Sequence, residues 1–307
     1  MNPKLTILLC TYNGELFLEK QLNSIQYQSY KNWEIIVSDD GSSDKTLSIL
    51  KKFQNKWGTK KMKIVNGPRK GFSQNFFSLI CMKDLSSDFY AFADQDDIWE
   101  SEKLSTAIKF FINKNYSMPL LYCSRTKLID AKQSSIGYSP LFKKTPTIYN
   151  ALVQSIAGGN TMIINRKTLE LAASIGNNNK IISHDWLLYL IVTSVNGKVK
   201  YDEWPSVLYR QHGNNKIGNN MMLSARLRRL YLFLRGDLKG WIDQNLILLE
   251  KIEINLSTEA KEALNHLIKL REMPWYEVLI NFKKIKFYRQ TFFGHIALII
   301  GFILKRV

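Results

Sequence analysis

The 307-residue sequence contains few cysteines, few acidic residues and no long apolar run. Its three cysteines form no CxxC pair, which argues against a zinc ribbon or thioredoxin-like centre and fits a reducing, cytoplasmic compartment. The longest uncharged apolar stretch, Gln290–Leu304, has 15 residues, whereas a membrane-spanning helix needs about 20. Neither a GxGxxG nor a Walker A motif is present, so phosphate binding by a glycine-rich helix start is not supported.

Acidic residues are outnumbered by basic ones, 26 against 43, which gives a net charge of +17. This balance favours an anionic partner: nucleic acid, an anionic membrane surface or a phosphorylated ligand. Residues 278–307 carry six basic and no acidic residues around an apolar segment. That pattern is typical of a segment that docks peripherally on an anionic membrane, and the alternative is a core-packed terminal helix with solvated lysines.

Short apolar strands alternate with helical patterns over the first hundred residues. Strands are predicted at Leu5–Cys10, Trp33–Val37, Lys63–Val65 and Phe89–Ala93, and helices lie between them. This alternation indicates an α/β protein with a mainly parallel sheet flanked by helices.

The pattern after this repeat is mixed and then becomes helical. Short strands are predicted at Leu120–Cys123, Thr161–Ile164, Lys198–Tyr201 and Val207–Tyr209, and only helical spacing follows. We therefore predict one domain over residues 1–217 and a helical region over residues 218–307, with a boundary near Gly218 and a basic, apolar tail.

Three polar clusters follow predicted strands. They are Thr11-Tyr12-Asn13-Gly14, Asp39-Asp40-Gly41-Ser42 and Asp94-Gln95-Asp96-Asp97. Ligands of open α/β sheets bind at the carboxyl ends of the strands. Packed carboxylates repel one another unless a cation compensates them, and hard divalent ions prefer oxygen ligands. The third cluster therefore predicts a metal site, whereas the first two would alone be consistent with simple turns.

These three clusters, with their order and spacing, resemble the leading motifs of family 2 glycosyltransferases. Ser183-His184-Asp185-Trp186 and Tyr209-Arg210-Gln211-His212-Gly213-Asn214-Asn215 resemble two later motifs of that family. The resemblance covers roughly residues 1–215 and implies the GT-A fold. The Asp-Gln-Asp-Asp-Ile-Trp and His-Asp-Trp variants look most like a bacterial rhamnosyltransferase branch, which acts in O-antigen, capsule or cell-wall polysaccharide assembly.

The resemblance implies a nucleotide-sugar site at the first clusters. Its residues would be Thr11, Tyr12, Asn13, Asp39, Asp40, Asp94 and Gln95. Asp39 would accept a hydrogen bond from N3–H of a uracil or thymine ring, and Asp40 would support the loop. Asp94 and Asp96 would be the two acids of a DxD motif.

The same resemblance makes Asp96 and His212 the metal ligands and Asp185 the general base. An imidazole among oxygen ligands favours Mn²⁺ as the bound metal ion, with Mg²⁺ as the alternative. Asp185 is also consistent with a helix cap, and His212 with an ordinary loop histidine. Residues expected to support the site or contact the acceptor are Asp97, His184, Trp186 and Arg210. For Trp186 the commoner role is core packing.

The resemblance thus implies an inverting, metal-dependent glycosyltransferase that moves a sugar from a nucleotide-diphosphate donor to a hydroxyl of a lipid-linked saccharide. dTDP-L-rhamnose is the preferred donor, and UDP-hexoses are the alternative. A nucleotidyltransferase would carry a basic, glycine-rich loop after the first strand, which is missing here. A nucleic-acid-binding protein is suggested only by the net charge, so we expect no nucleic-acid partner.

Overall fold

The structure is a computed structural model. It describes residues 2–112, 114–156, 158–212, 231–233 and 235–307. The predicted boundary near Gly218 and the Gly213-Asn214-Asn215 end of the histidine motif lie outside these residues.

The first part of the chain follows the predicted β-α alternation. Its elements are β1 (Leu5–Thr11), α1 (Leu18–Gln26), β2 (Trp33–Asp39), α2 (Thr46–Trp57), β3 (Met62–Asn66), α3 (Phe72–Ile80), β4 (Phe89–Asp94), β5 (Ile98–Trp99) and α4 (Lys103–Ile112). The strands predicted in this part are all present, whereas β5 and α4 were not predicted.

The second part is mixed and then helical, as predicted. Its elements are β6 (Leu120–Ile129), β7 (Ser135–Tyr138), α5 (Ile148–Ala151), β8 (Ile163–Asn165), α6 (Arg166–Ala173), α7 (His184–Ser194), β9 (Lys198–Arg210), α8 (Asp237–Glu250), α9 (Thr258–Glu272), α10 (Trp275–Ile280) and α11 (Phe292–Ile303). Short 3₁₀ turns lie at Gly159–Thr161, Glu253–Asn255 and Phe282–Lys284.

The prediction of two short strands around Pro205 was wrong. A single strand, β9, runs through the proline, and its register against β6 shifts between Ser124 and Thr126. Proline has no N–H to donate to the ladder, so it is tolerated where a bulge interrupts the pairing.

One mixed sheet forms the centre, with the order β3-β2-β1-β4-β8-β6-β9-β5 and with β7 paired to β6. The four strands β3, β2, β1 and β4 are parallel to one another, whereas β8 is antiparallel to both of its neighbours. This is the GT-A-like α/β architecture. The carboxyl ends of β1, β2 and β4 consequently meet at one edge of the sheet.

Both faces of the sheet are covered, which explains the continuous apolar run of β1. Leu5, Ile7 and Leu9 pack into the core beneath α1, α2 and α4. Leu8 and Cys10 point to the other side, where α3, α6 and α7 pack together with the C-terminal helices. Alternation of side chains along a strand thus places both sets in apolar surroundings.

None of the helices in the described ranges is both long enough and apolar enough to cross a bilayer.

Candidate active site

Three polar loops meet at the carboxyl edge of the parallel strands. Thr11 pairs in register with Asp39, and Cys10 pairs with Asp94. The ends of β1, β2 and β4 therefore lie side by side. This brings the first three predicted clusters together, as the sequence predicted.

The loop after β1 is fastened to the loop after β2. Asn13 adopts a left-handed backbone (φ 48°), and its Oδ1 accepts from the backbone N–H of Ser43 at 2.8 Å. The N–H of Asn13 donates to Ser42 Oγ at 2.8 Å, and that of Gly14 donates to Thr46 Oγ1 at 2.7 Å. Asn tolerates the left-handed region better than most residues. These bonds fix the backbone beside Tyr12, whose side chain is 58% exposed.

Gln95 ties the acidic loop to the loop after β1. Its Oε1 accepts from the N–H of Tyr12 at 2.8 Å, and its Nε2 donates to the carbonyl of Tyr12 at 2.9 Å. A Cβ on Gly14 would lie 2.4 Å from Gln95 Oε1. Glycine at position 14 is therefore what allows the Gln95 amide to approach so closely. In this structure Gln95 holds Tyr12 in place.

The two acids after β2 are both buried and both hydrogen-bonded. The Asp39 carboxylate accepts from Thr11 Oγ1 at 2.8 Å, from Ser42 Oγ at 2.6 Å and from the Ser42 N–H at 2.8 Å. Asp40 accepts from the N–H groups of Arg69 at 2.6 Å and Gly71 at 2.9 Å. Asp40 thus holds the neighbouring loop that contains Arg69 and Gly71. The predicted bond from Asp39 to a base stays a prediction.

Asp94, Asp96 and Asp185 form the charged centre of this edge. Burial, followed by the charges of Asp96 and Asp185, raises the pKa of Asp94 above its usual range. His212 Nε2 lies 2.8 Å from Asp96 Oδ2, and the His212 ring packs on Phe17 with centroids 5.0 Å apart. Side chains from three segments that are far apart in sequence are therefore brought together at this edge.

This centre fits a divalent cation bound by a few protein ligands. Within the described ranges, no group of three or more His, Cys, Asp or Glu side chains is arranged to enclose an ion. Asp96 and His212 are the pair whose side-chain atoms converge. Mg²⁺ sites commonly use one or two carboxylates and complete their coordination with water and substrate phosphates. The mutual repulsion of Asp94 and Asp96 is what such an ion would relieve.

Asp97 differs from its neighbours because it is fully buried. Its Oδ2 accepts from Asn160 Nδ2 at 2.5 Å, and its Oδ1 accepts from the N–H of Arg210 at 3.2 Å. Lys103 Nζ, also fully buried, donates to the carbonyl of Asn160 at 3.0 Å, and burial lowers the pKa of Lys103 to about 7. Asp97 therefore supports the site and does not face a substrate.

Arg210 also has a supporting position. It is fully buried, and its Nε donates to the carbonyl of Asp96 at 2.9 Å, while Nη1 donates to the carbonyls of Asp130 and Ala131 at 3.2 Å. Its guanidinium carbon lies 4.6 Å from the Phe17 ring centre. These contacts hold the backbone of the acidic loop against the end of β9. Of the two roles predicted for Arg210, support of the site and contact with the acceptor, they favour support.

Asp185 lies in the first turn of α7 and is buried. Its Oδ1 accepts from the N–H of Trp186 at 2.6 Å and from the hydroxyl of Ser183. Burial raises the pKa of Asp185 to about 6, and hydrogen bonds from the backbone N–H groups of Trp186 and Gly159 oppose that shift. The bond to Trp186 resembles a cap, but the elevated pKa and the position beside Asp94 suit a general base.

His184 is buried among aromatic rings. It stacks on Phe76 with centroids 4.2 Å apart, and neither ring nitrogen has a hydrogen-bond partner among the described residues. Burial lowers the pKa of His184 to about 3, so the ring is neutral. A Cβ on Gly159 would lie 2.1 Å from His184 Nε2. His184 therefore packs directly against the turn that donates to Asp185.

Trp186 is a core residue, as the commoner role predicted. It is 7% exposed, and its indole Nε1 donates to the carbonyl of Ala151 at 2.6 Å. This bond links the start of α7 to α5.

The residues that the sequence did not reveal are the supports. Asn160 contacts Asp97, Lys103 contacts the carbonyl of Asn160, and Phe17 contacts His212, but none belongs to a recognisable motif. The only signal for Asn160 was its place after Gly158-Gly159, where glycines permit a close backbone approach. A buried lysine gives no signal in the sequence, because charged residues are mostly exposed.

The mixed sheet, with polar loops at its carboxyl edge, is a glycosyltransferase type of fold. The model of glycosyl transferase family 2 matches residues 6–171. The chain belongs to this family and is a glycosyltransferase, as the motifs predicted.

Two relatives extend the comparison. A dTDP-rhamnosyl transferase of Shigella flexneri is 35% identical over 238 residues, which cover 73% of this chain and 78% of that protein. A GalNAc(5)-diNAcBac-PP-undecaprenol beta-1,3-glucosyltransferase of Campylobacter jejuni is 36% identical over 107 residues, which cover 35% of this chain and 34% of that protein. The first similarity makes the chain rhamnosyltransferase-like.

Solved structures agree on the fold. A fragment of the poly(ribitol-phosphate) beta-N-acetylglucosaminyltransferase of Staphylococcus aureus in complex with UDP-GlcNAc superposes with a TM-score of 0.56 at 17% identity, covering 99% of this chain and 89% of that one. A mannosyltransferase of Pyrobaculum calidifontis in complex with GDP-Man and Mn²⁺ gives a TM-score of 0.50 at 15% identity, covering 98% and 87%. At these identities the likeness concerns the fold alone.

Proposed function

We propose that this glycosyltransferase transfers L-rhamnose from dTDP-L-rhamnose to a hydroxyl of a growing, lipid-linked bacterial surface polysaccharide, with inversion at the anomeric carbon. The observation that carries the proposal is the convergence of Asp94, Asp96, His212 and Asp185 at the carboxyl edge of the parallel strands. This arrangement supports the proposal that a nucleotide pocket, a metal site and a base share one edge of the sheet.

The loops after β1 and β2 suit the nucleotide. The exposed Tyr12 ring offers a flat face to a base, and Thr11, Asn13 and Asp39 lie beside it. Asp94 sits at the end of β4, beside Cys10 of β1 and close enough to Asp185 for the charge of Asp185 to raise the pKa of Asp94. We propose that Asp39 receives N3–H of the pyrimidine ring and that Asp94 orients the ribose.

Asp96 and His212 are the residues that would hold a divalent cation, Mn²⁺ or Mg²⁺. Such an ion would offset the charge that develops on the departing diphosphate. The mixed oxygen and imidazole donor set is compatible with either metal and favours Mn²⁺.

Asp185 acts as the general base. Its carboxylate takes the proton from the acceptor hydroxyl while the hydroxyl oxygen bonds to C1 of the donor sugar. The bond from C1 to the phosphate oxygen breaks, and its electron pair leaves with the nucleoside diphosphate. A single displacement on the face opposite the leaving group inverts C1, so no covalent nucleophile is required. The pKa of about 6 keeps Asp185 ionised at neutral pH yet basic enough to accept a proton.

The donor is chosen on similarity. The Shigella flexneri relative is named a dTDP-rhamnosyl transferase, which supports dTDP-L-rhamnose. Other relatives are named for glucosyl and N-acetylglucosaminyl transfer, so a UDP-hexose is the alternative donor. Two relatives are named for undecaprenol-linked acceptors, which supports a lipid-linked acceptor.

The expected location follows from such an acceptor. We propose a cytoplasmic enzyme held peripherally on the inner face of the plasma membrane, with residues 1–217 performing the chemistry and residues 218–307 holding the enzyme at the membrane. The net charge of +17 suits both an anionic sugar nucleotide and an anionic surface.

A donor screen with the purified protein tests the function. Release of nucleoside diphosphate is measured for dTDP-L-rhamnose, UDP-glucose and UDP-N-acetylglucosamine, each with Mn²⁺, Mg²⁺ or EDTA. We expect the fastest release from dTDP-L-rhamnose with a metal and none with EDTA. Release that persists in EDTA would contradict the metal-binding roles of Asp96 and His212. Faster release from a UDP-sugar would contradict dTDP-L-rhamnose as the donor.

A further inference from the structure

The C-terminal helix α11 has apolar side chains on two opposite faces. Leu298 and Phe302 are buried against the core. Phe292, Ile296 and Ile300, spaced four residues apart on another face, are 73%, 41% and 42% exposed. Residues four apart share one side of a helix, so this side is an apolar stripe in contact with solvent.

The stripe continues onto the preceding helix. α10 packs against α11, and Trp275, Tyr276, Leu279 and Ile280 of α10 are exposed, as is Phe293. We call this surface, formed by the exposed apolar residues of α10 and α11, the C-terminal apolar patch. Soluble proteins rarely leave a contiguous surface of this kind uncovered, and such surfaces mark interaction sites.

Basic residues border the patch. Lys283, Lys284 and Lys286 lie in the connection between the two helices and are exposed. No acidic residue occurs in residues 278–307. Glu277, in α10, is the acidic residue nearest to these lysines in sequence. Aromatic and aliphatic side chains bordered by exposed lysines complement the headgroups and acyl boundary of an anionic bilayer. A two-fold contact between copies through this patch would bring these lysines together, which is unfavourable.

The patch is held firmly to the catalytic part of the molecule. Between α10 and α11, the N–H of Gln290 donates to Gln154 Oε1 at 2.8 Å, and Asn150 Nδ2 donates to the carbonyl of Tyr288 at 2.9 Å. α5, which contains Asn150, also receives the indole N–H of Trp186, next to Asp185. Docking of the patch would therefore fix how the active site is presented to the surface.

We propose that the C-terminal apolar patch is the membrane-docking surface of this enzyme, with Phe292, Phe293 and Ile280 inserting at the acyl boundary and Lys283 and Lys284 contacting anionic headgroups. The inference deepens the proposed function, on which it rests for the membrane-bound acceptor.

Sedimentation with lipid vesicles tests the proposal on the full chain. The vesicles are phosphatidylcholine alone, or phosphatidylcholine and phosphatidylglycerol in equal parts. We expect binding to the anionic vesicles and much weaker binding to the neutral ones. The variants Phe292→Ser/Phe293→Ser and Lys283→Glu/Lys284→Glu should each weaken binding by about tenfold or more. Salt should weaken the contribution of the two lysines more than that of the two phenylalanines.

Matched controls use residues outside the patch. Ile254→Ser changes an apolar side chain that is 93% exposed, and Lys51→Glu/Lys60→Glu reverses two exposed charges on the opposite part of the chain. Both should bind the anionic vesicles nearly as the parent does. The proposal would be overturned if the patch variants bound the vesicles as well as the parent does. It would also be overturned if the parent bound no vesicles and formed a dimer that Phe293→Ser dissociates.

Release of nucleoside diphosphate from a soluble donor is followed in the same variants. Retained release with lost vesicle binding supports the docking surface. Vesicle binding without transfer from any nucleotide sugar would leave the docking surface standing and contradict the proposed function instead.

Discussion

Adjacent carboxylates of the acidic loop have different roles. The side chain of Asp96 is 20% exposed and faces His212, whereas Asp97 is fully buried and bonded to Asn160 and to the backbone of Arg210. One of them is available to a ligand and the other holds the loop in place. Activity and stability should therefore respond differently to their removal.

Replacing Asp96 by alanine should abolish transfer but leave the free energy of unfolding unchanged or slightly higher, because Asp96 repels Asp94 and Asp97. Asp97→Ala should lower the free energy of unfolding by about 2 kcal/mol, since it leaves buried donors without an acceptor. Urea denaturation and release of nucleoside diphosphate measure the two effects. Equal destabilisation by both substitutions would contradict this division.

The start of α7 is positioned by the neighbouring 3₁₀ turn. Gly159 donates its N–H to Asp185 and lies against the His184 ring. Because His184 is itself packed against Phe76, it has little room to move. The turn and the helix thus determine together where the base carboxylate lies.

Gly159→Ala should displace His184 and with it Asp185, and should lower turnover by about tenfold or more, since small displacements of a catalytic group are costly. The double variant Gly159→Ala/His184→Ala should recover part of that loss, because the clash is removed. Gly240→Ala is the control: apart from its chain neighbours and the backbone of its own helix, none of the described atoms lies within 4 Å of the added Cβ, and turnover should stay the same. A double variant that is worse than Gly159→Ala would contradict the proposed clash.

Features that depend on neighbouring residues were predictable from the sequence, whereas features that depend on contacts between distant segments were not. β1 was predictable because each side chain from Leu5 to Thr11 is buried, and the motif residues were found because they follow such strands directly. Asn160 and Lys103 were missed because their role depends on a contact between distant segments, at sequence separations of 63 and 57 residues. β5 has two residues and gives no periodic signal.

The C-terminal helices pack into the same hydrophobic core as α7 of the catalytic part. Leu249, Leu267 and Phe287 belong to the same buried cluster as Trp186 and Tyr189 of α7. The N–H of Ser257 donates to the carbonyl of Ser194 at the end of that helix, at 2.9 Å. The C-terminal helices should therefore unfold together with the catalytic part.

Leu267→Ala tests this cooperativity, because Leu267 is fully buried in α9. It should lower the free energy of unfolding of the entire chain by about 2–5 kcal/mol while the urea transition remains single. Ile268→Ala, at a neighbouring position that is 49% exposed, should have little effect. Two separate transitions, only one of them shifted by Leu267→Ala, would show that the regions fold independently.

In the proposed mechanism, Asp185 is the base at the point where the nucleotide, metal and acceptor sites meet. Burial raises its pKa to about 6, so activity should fall as the pH drops through that value and the carboxylate becomes protonated. Asparagine keeps the shape of the side chain but has no basic oxygen. General-base catalysis contributes about 10²–10⁴-fold to a rate.

The most direct test is the turnover of Asp185→Asn, measured by release of nucleoside diphosphate from the preferred donor. The measurement covers about pH 5 to 8, because this range includes the Asp185 pKa of about 6. Nucleoside diphosphate affinity is measured alongside by calorimetry. We expect turnover to fall by about 10²-fold or more, the acid limb near pH 6 to disappear and the affinity to stay unchanged. Turnover within a few-fold of the parent, with the acid limb retained, would contradict the role of Asp185 as the base.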